Sequence, residues 1–314
     1  MILAIDLEER FRSRLVRAAN RLGREVRFTL DVPARELSKI DVLLYWSTSA
    51  RDYALCLETL PSLRWVHVPW TGVEWLLKGP VADGRVLLTN SRGTAGIPVA
   101  EYAIAAVLAA SKDLSLYREN QSRRLWSRRP SREVHGARLL VVGFGSIGKL
   151  VAKYARALGM KIDVVTRTPV DAGRSVTVYG PESVERALAN ADYVVSTLPA
   201  TAQTHDYFGE RLFAAMQPHA WFINVGRGDV VDEAALENAL RTGTIAGAYL
   251  DVFGKEPLPE DSSLWDVPGL SATPHAASWT DGKFDRSFQL FVTNLKSFSA
   301  GSALTNVVDV DNGY

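Results

Sequence analysis

The feature that most constrains the fold is the glycine pattern Gly143-Phe144-Gly145-Ser146-Ile147-Gly148. It follows the apolar run 139–142 and opens a stretch whose apolar residues recur at helical spacing. In such a strand–turn–helix unit, the first glycine permits a tight turn, the second lets a ligand approach the backbone, and the third allows close helix–strand packing. The free N–H groups at the start of the helix then favour phosphate oxygens. The pattern predicts a dinucleotide-binding turn rather than an ordinary glycine-rich connection, with contacts from Gly143, Gly145 and Gly148.

The chain around this pattern alternates apolar strands with amphipathic helices. Strands are predicted at 138–142, 161–166, 193–197, 220–225, 246–251 and 270–273, and helices at 147–158, 183–188 and 233–241. Six strands with intervening helices and glycine-rich turns are typical of a doubly wound parallel sheet of the Rossmann type.

The first hundred residues show the same alternation, so a second parallel sheet flanked by helices is predicted there. Its strands are expected at 2–5, 42–45 and 65–68, with a helix at 8–22. A chain of 314 residues fits two domains of ordinary size. A last helix at 282–299 carries Phe284, Phe288, Phe291 and Leu295 at helical spacing and can return the chain to the first domain. We therefore predict an α/β fold in which domain 98–285 is inserted into a domain made of 1–97 and 286–314.

Composition excludes several other classes of protein. The net charge of +1 gives no reason to expect nucleic acid or a membrane surface as a partner. The most apolar stretch, 97–110, is shorter than a membrane span and contains Glu101; Pro98 fits the first turn of a buried helix there. The single cysteine, Cys56, lies in an apolar run, which predicts a buried structural thiol and a reducing, cytoplasmic location. Four histidines (His67, His135, His205 and His219) show no paired ligand spacing, so no metal is predicted.

A basic segment needs its own interpretation. Six arginines lie from Arg118 to Arg132, with Trp126 among them. Such a patch can bind a polyanion. It lies between two structured blocks and is balanced by acidic residues elsewhere, so we favour a solvated or subunit-facing connection.

The end of the second strand of the Rossmann block indicates which cofactor is used. NAD enzymes place an acidic residue there for the ribose hydroxyls, whereas this chain reads Val164-Val165-Thr166-Arg167-Thr168-Pro169. Asp163 lies inside the strand rather than at its tip. Because a guanidinium matches a 2′-phosphate, Arg167 and Thr168 predict a preference for NADP; the alternative is a solvent-facing arginine in a protein that uses NAD.

Three side chains follow later strands of the same sheet. Arg227 lies in Asn224-Val225-Gly226-Arg227-Gly228, Glu256 in the segment 250–257, and His275 in Thr273-Pro274-His275. Reduction of a 2-oxo acid needs a cation for the carboxylate and an acid for the alkoxide, and these are the roles of arginine and histidine. A carboxylate beside the imidazole orients the ring. We predict that all three converge beside the redox ring.

These motifs resemble those of the D-isomer-specific 2-hydroxyacid dehydrogenases, over nearly the whole chain. The resemblance implies a flavodoxin-like substrate domain, Arg227 as substrate ligand, His275 as acid/base and Glu256 as its partner. It implies further cofactor contacts from Ser146, Ile147, Leu198, Pro199, Val225, Gly226, Arg227, Asp251 and His275, with Ser146 and Ile147 at the pyrophosphate. It implies substrate contacts from Thr71, Gly72, Val73, Arg227 and His275. It also implies a homodimer paired through 98–132.

The pattern is most similar to NADP-using glyoxylate/hydroxypyruvate-type reductases, because Arg167 replaces the common acidic residue. Trp70 and Trp279 either shape the substrate pocket or serve interdomain packing. Two alternatives stay open: a nucleotide-sensing, corepressor-like regulator on the same fold, and a reductase of a branched 2-oxo acid such as ketopantoate. Turnover assays with several 2-oxo acids separate these readings.

Overall fold

A computed structural model describes residues 1–168, 172–173 and 176–310. The chain forms two compact units, one comprising Met1–Ala95 with Asp281–Tyr314 and the other Gly96–Thr280. The boundaries predicted above at 97/98 and 285/286 stay a prediction about where the domains meet.

The first unit contains a five-stranded parallel sheet. Its strands are β1 (Ile2–Ile5), β2 (Val26–Arg27), β3 (Val42–Tyr45), β4 (Trp65–His67) and β5 (Leu87–Thr89), in the order β2-β1-β3-β4-β5. This is the flavodoxin-like order. Its helices before residue 96 are α1 (Glu9–Asn20), α2 (Ala34–Leu37), α3 (Ala50–Thr59) and α4 (Gly79–Ala82). Helix α1 forms because its apolar residues Phe11, Leu15 and Ala19 recur every four positions and are buried on one face.

The second unit contains a seven-stranded parallel sheet with helices between its strands. Its strands are β6 (Arg138–Val142), β7 (Lys161–Val165), β8 (Val176–Tyr179), β9 (Tyr193–Ser196), β10 (Trp221–Asn224), β11 (Gly247–Leu250) and β12 (Leu270–Ala272). The helices are α5 (Gly96–Ser111), α6 (Leu114–Ser122), α7 (Ser146–Ala157), α8 (Val184–Leu188), α9 (Glu210–Ala214) and α10 (Glu233–Arg241). The strand order β12-β11-β10-β9-β6-β7-β8 contains the Rossmann arrangement, extended by one strand.

The α/β fold class with two doubly wound parallel sheets is therefore confirmed, and the number of strands in the second sheet is corrected from six to seven. The additional strand, β8, lies at the sheet edge and pairs only with β7 among the described strands. Its residues are exposed or half-buried, because an edge strand buries little surface. Its weak apolar signal explains why it was not predicted.

The final helix, α11 (Asp281–Ser299), packs on the sheet of the first unit. The four apolar residues singled out in the sequence are all buried: Phe284, Phe288, Phe291 and Leu295. The ring of Phe288 stacks on Phe11 at a centroid distance of 4.8 Å, and the ring of Phe291 stacks on Trp65 at 5.2 Å. Aromatic stacking thus fixes α11 against α1 and the sheet.

Two further predictions can be compared with the structure. Cys56 is fully buried, and burial raises the pKa of its thiol to about 12, so it is a structural thiol as predicted. Helix α5 begins at Gly96 with Pro98 in its first turn and is largely buried. Within the ranges described above, no helix combines the length and apolar character needed to span a bilayer.

The basic segment runs from α6 towards β6 and is mostly exposed. Arg123 pairs with Glu119 at 3.1 Å, Arg129 pairs with Asp113, and the Trp126 side chain is fully exposed. Acidic partners therefore compensate part of its charge. The predicted role as a connection between structured blocks or a subunit contact stays a prediction.

Candidate active site

The three glycines of the 143–148 turn have different surroundings. Gly143 has φ +94°, a conformation that favours glycine, where the backbone turns out of β6. A Cβ on Gly148 would lie 2.2 Å from the carbonyl oxygen of Gly143, so α7 packs against the turn more closely than any other residue allows. A Cβ on Gly145 would meet no atom within 4 Å.

This geometry fits a dinucleotide. Open space at Gly145 allows a pyrophosphate to approach the backbone. No side chain caps the start of α7, so the first N–H groups of this helix are left for phosphate oxygens. Ser146 is exposed and Ile147 half-exposed at the same helix start.

The carboxyl ends of the strands lie in register along one edge of the second sheet. Val142 pairs with Val165 and Ser196, Asn224 pairs with Ser196 and Leu250, and Leu250 pairs with Ala272. The segments that follow these strands carry the predicted site residues from Gly143 to His275. In open parallel sheets, ligands bind at this edge.

Arg167 and Asp163 have different environments at β7. Asp163 is buried and accepts two hydrogen bonds from Arg138, at 2.9 and 3.1 Å, so its carboxylate is occupied within the fold. Arg167 is exposed two residues beyond the end of β7, and Thr168 beside it is also exposed. The basic group, not the acidic one, is therefore at the strand tip; Pro169, the last residue of this predicted motif, lies outside the described residues.

A buried asparagine shapes the turn that carries Arg227. The amide of Asn224 donates to the Arg227 carbonyl at 2.8 Å, and its oxygen accepts from Gly226 N at 3.1 Å. A Cβ on Gly226 would lie 2.5 Å from the carbonyl oxygen of Leu198, so this turn packs directly on the segment 197–199. Arg227 is half-exposed, and its guanidinium donates to the Gly226 carbonyl at 2.9 Å. Val225, the residue before Gly226, is buried.

His275 and Glu256 are in direct contact. The distance from His275 Nδ1 to Glu256 Oε2 is 2.8 Å, and Glu256 Oε1 accepts from Phe253 N at 3.0 Å. The Glu256 carboxylate is thus held by the backbone N–H of Phe253 while its other oxygen contacts the imidazole. His275 is exposed and has φ +52°.

Asp251 is bound to the loop that carries His275. Its carboxylate is buried and accepts from Thr273 Oγ1 at 2.6 Å, Ala276 N at 2.8 Å and Ala277 N at 3.0 Å. The Asp251 carbonyl accepts from His275 N at 2.8 Å. Asp251 therefore holds the loop that presents His275; its predicted contact with the cofactor stays a prediction.

The predicted substrate residues Thr71, Gly72 and Val73 follow β4 in the first unit. Asn90 Nδ2 donates to the Thr71 carbonyl at 3.1 Å, and Val73 is fully buried, so the segment is anchored at both ends. Its role in holding a carboxylate stays a prediction.

Comparison with known proteins identifies the family. The model of the D-isomer specific 2-hydroxyacid dehydrogenase NAD binding domain matches residues 104–277. The chain belongs to this family. Glyoxylate/hydroxypyruvate reductase A of Photorhabdus laumondii is 30% identical, with 84% of this chain and 88% of that protein covered. The dehydrogenase is therefore an NAD(P)-dependent oxidoreductase of 2-hydroxy or 2-oxo acids.

Solved structures agree. A family member from Aeromonas salmonicida is 33% identical and superposes with a TM-score of 0.86 over 99% of both chains. An NADPH-dependent glyoxylate/hydroxypyruvate reductase from Sinorhizobium meliloti, determined with NADP and sulfate, is 28% identical with a TM-score of 0.78 over 100% of this chain and 99% of that one.

Sequence reasoning did not identify Tyr102, although its hydroxyl lies 2.7 Å from Thr273 Oγ1 beside the His275 loop. Tyr102 is on α5, and the sequence motifs contain no signal that connects it with residue 273.

Proposed function

We propose that this dehydrogenase reduces small 2-oxo acids of the glyoxylate/hydroxypyruvate type, with NADPH as the preferred cofactor. The observation that carries the proposal is the contact between His275 Nδ1 and Glu256 Oε2. When bound, the cofactor supplies the hydride for the carbonyl carbon.

The contact assigns the proton on the imidazole. An ionised carboxylate only accepts hydrogen bonds, so Nδ1 carries a hydrogen and donates a hydrogen bond to Glu256. Nε2 is then the nitrogen that changes its protonation state. In the protonated form, Nε2–H donates to the carbonyl oxygen of the substrate, and its proton moves to that oxygen as the alkoxide forms.

Arg227 is proposed to bind the substrate carboxylate. Its guanidinium is half-exposed and is anchored on one side by the Gly226 carbonyl. A planar guanidinium binds a carboxylate through two parallel hydrogen bonds, which fixes the orientation of a small acid. The positive charge also polarises the adjacent ketone.

A substrate panel tests the function. Glyoxylate, hydroxypyruvate, pyruvate and branched acids such as ketopantoate are assayed with NADPH, and the smallest acids are expected to give the highest kcat/KM. His275→Asn is expected to lower kcat by about 10²–10⁴-fold with little change in NADPH binding. Binding of NADPH without turnover of any acid would support the regulatory alternative instead.

The cofactor preference is supported by Arg167 at the tip of β7 and by the occupied carboxylate of Asp163. Arg167→Asp is expected to lower kcat/KM for NADPH and to spare or raise the value for NADH, because an acidic residue repels a 2′-phosphate. A wild-type enzyme that prefers NADH contradicts this part of the proposal.

We further propose a cytoplasmic homodimer paired through 98–132. The lone buried Cys56 supports a reducing compartment, and the exposed Trp126 supports a subunit contact in this segment. The molar mass of the wild type and of Trp126→Ala, measured by light scattering, tests the dimer. A wild-type protein with the mass of a monomer refutes the proposed homodimer.

A further inference from the structure

A continuous set of hydrogen bonds connects helix α5 to the loop that carries His275. Tyr102 Oη lies 2.7 Å from Thr273 Oγ1, and Thr273 Oγ1 lies 2.6 Å from Asp251 Oδ1. The Asp251 carboxylate also accepts hydrogen bonds from Ala276 N at 2.8 Å and from Ala277 N at 3.0 Å. All of these residues belong to the second unit.

The direction of these hydrogen bonds is fixed by the carboxylate. Ionised Asp251 can only accept, so the Thr273 hydroxyl must donate to it. The hydroxyl hydrogen of Thr273 is used in that bond, so the Tyr102 hydroxyl must donate to Thr273 Oγ1. Burial raises the pKa of Tyr102, so its hydroxyl keeps its hydrogen well above neutral pH.

The loop needs such an anchor because its backbone is unfavourable. His275 has φ +52°, a left-handed conformation that is unfavourable for a non-glycine residue. The hydrogen bonds to the two alanine amides hold the chain directly after this residue. Loss of that restraint lets residue 275 relax and moves the imidazole away from Glu256.

We propose that Tyr102 is a positioning residue that acts through Thr273 and Asp251 to hold the backbone at 275–277, and thereby the ring of His275. The inference rests on the proposed role of His275 as proton donor. Tyr102 itself is not assigned a contact with substrate or cofactor.

The test compares Tyr102→Phe, Thr273→Val and the double variant in the full-length protein. Tyr117→Phe is the matched control, because the half-buried Tyr117 Oη donates to the Arg129 carbonyl at 3.3 Å and accepts from Arg129 N at 3.2 Å, in the same unit but with its partner in the segment between α6 and β6. Thr273→Ser keeps the hydroxyl and is the conservative variant. The readouts are amide hydrogen exchange at 275–277, kcat, and the Kd of NADPH.

Tyr102→Phe is expected to raise amide exchange at 276 and 277 by about 3- to 10-fold and to lower kcat by a similar factor, the effect of one net hydrogen bond. The Kd of NADPH is expected to stay within about twofold, because the phosphate turn makes no part of this network. The Tyr102 and Thr273 changes are expected to be non-additive, since they remove the same connection. Thr273→Ser and Tyr117→Phe are expected to behave like the wild type.

Unchanged exchange in Tyr102→Phe, additive effects in the double variant, or an equal effect of Tyr117→Phe would overturn the inference. The exchange measurement needs no turnover. A wild type inactive on every 2-oxo acid therefore refutes the proposed function, while the exchange result still decides whether Tyr102 anchors the loop.

Discussion

Two glycines of the phosphate turn provide a matched pair of substitutions with opposite expected results. Gly145 has φ −78° and ψ −159°, which alanine also adopts, and a Cβ there meets no atom within 4 Å. Gly145→Ala is therefore expected to keep the stability of the free protein or raise it by about 0.4–1 kcal/mol. The added methyl occupies the space proposed for the pyrophosphate. A forced contact of this kind costs about 1–3 kcal/mol, which corresponds to an NADPH Kd weaker by about 5- to 150-fold.

Gly148→Ala is expected to damage the fold itself. Its Cβ would lie 2.2 Å from the Gly143 carbonyl oxygen, about 1.2 Å short of ordinary contact, and this oxygen is a backbone atom that cannot move aside on its own. Helix α7 must shift, so we expect a loss of about 1–3 kcal/mol in the free energy of unfolding as well as weaker NADPH binding.

Thermal unfolding with and without NADPH separates these outcomes. At an NADPH concentration of about 100 times the wild-type Kd, the ligand stabilises the wild type by about 2.7 kcal/mol; a Kd weaker by about 50-fold reduces this to about 0.6 kcal/mol. Gly209→Ala is the control, because Gly209 also precedes a helix with extended backbone and no side-chain cap, and its Cβ would have only an ordinary 3.6 Å contact. Wild-type affinity in Gly145→Ala, or wild-type stability in Gly148→Ala, would refute the assignment of the turn.

Three further results are expected. Burial lowers the pKa of His67 to about 3, so below pH 6.5 the unfolded chain binds a proton that the folded chain does not. The free energy of unfolding therefore falls between pH 6.5 and 3, by about 3 kcal/mol at pH 4, and urea titrations of His67→Asn should show a weaker dependence of this free energy on pH. The ammonium group of Lys283 stacks on Trp70 and Phe284, and burial lowers its pKa to about 8. Because the folded chain loses this proton before the unfolded chain does, the free energy of unfolding rises by about 2–3 kcal/mol from pH 8 to 10.5, and Lys283→Met should lose that rise in the same titration. Glu256→Gln is expected to lower kcat by about 10- to 100-fold with NADPH affinity retained, and unchanged steady-state kcat would contradict the proposed pairing with His275.

Most of the fold could be predicted from the sequence, because the apolar runs of its buried strands and the helical spacing of apolar residues are both clear. Buried parallel strands such as β6 appear as continuous apolar runs, and α1 and α11 show apolar residues on one face. The edge strand β8 was missed because a half-solvated strand lacks that signal. The two-residue strand β2 is shorter than any pattern that sequence periodicity can detect.

For the candidate site, chain order carried the prediction. Residues that follow parallel strands reach the same sheet edge, and the 2.8 Å contact between Glu256 and His275 is the kind of pairing that this order favours. The hydrogen-bond role of Asp251 could not be read in the same way, because it depends on the exact path of the loop 273–277. Tyr102 was missed for a stronger reason: it meets Thr273 across 171 positions of the chain, through a hydroxyl on a helix with no motif of its own.

The left-handed backbone at His275 restricts which amino acids can occupy the position, independently of their chemistry. Asparagine tolerates this geometry, whereas alanine or a β-branched residue adds backbone strain to the loss of the ring. A variant with alanine at this position therefore measures two defects together. Replacing the imidazole with another acid, such as lysine or glutamate, would have to overcome a conformational cost before any proton could be transferred.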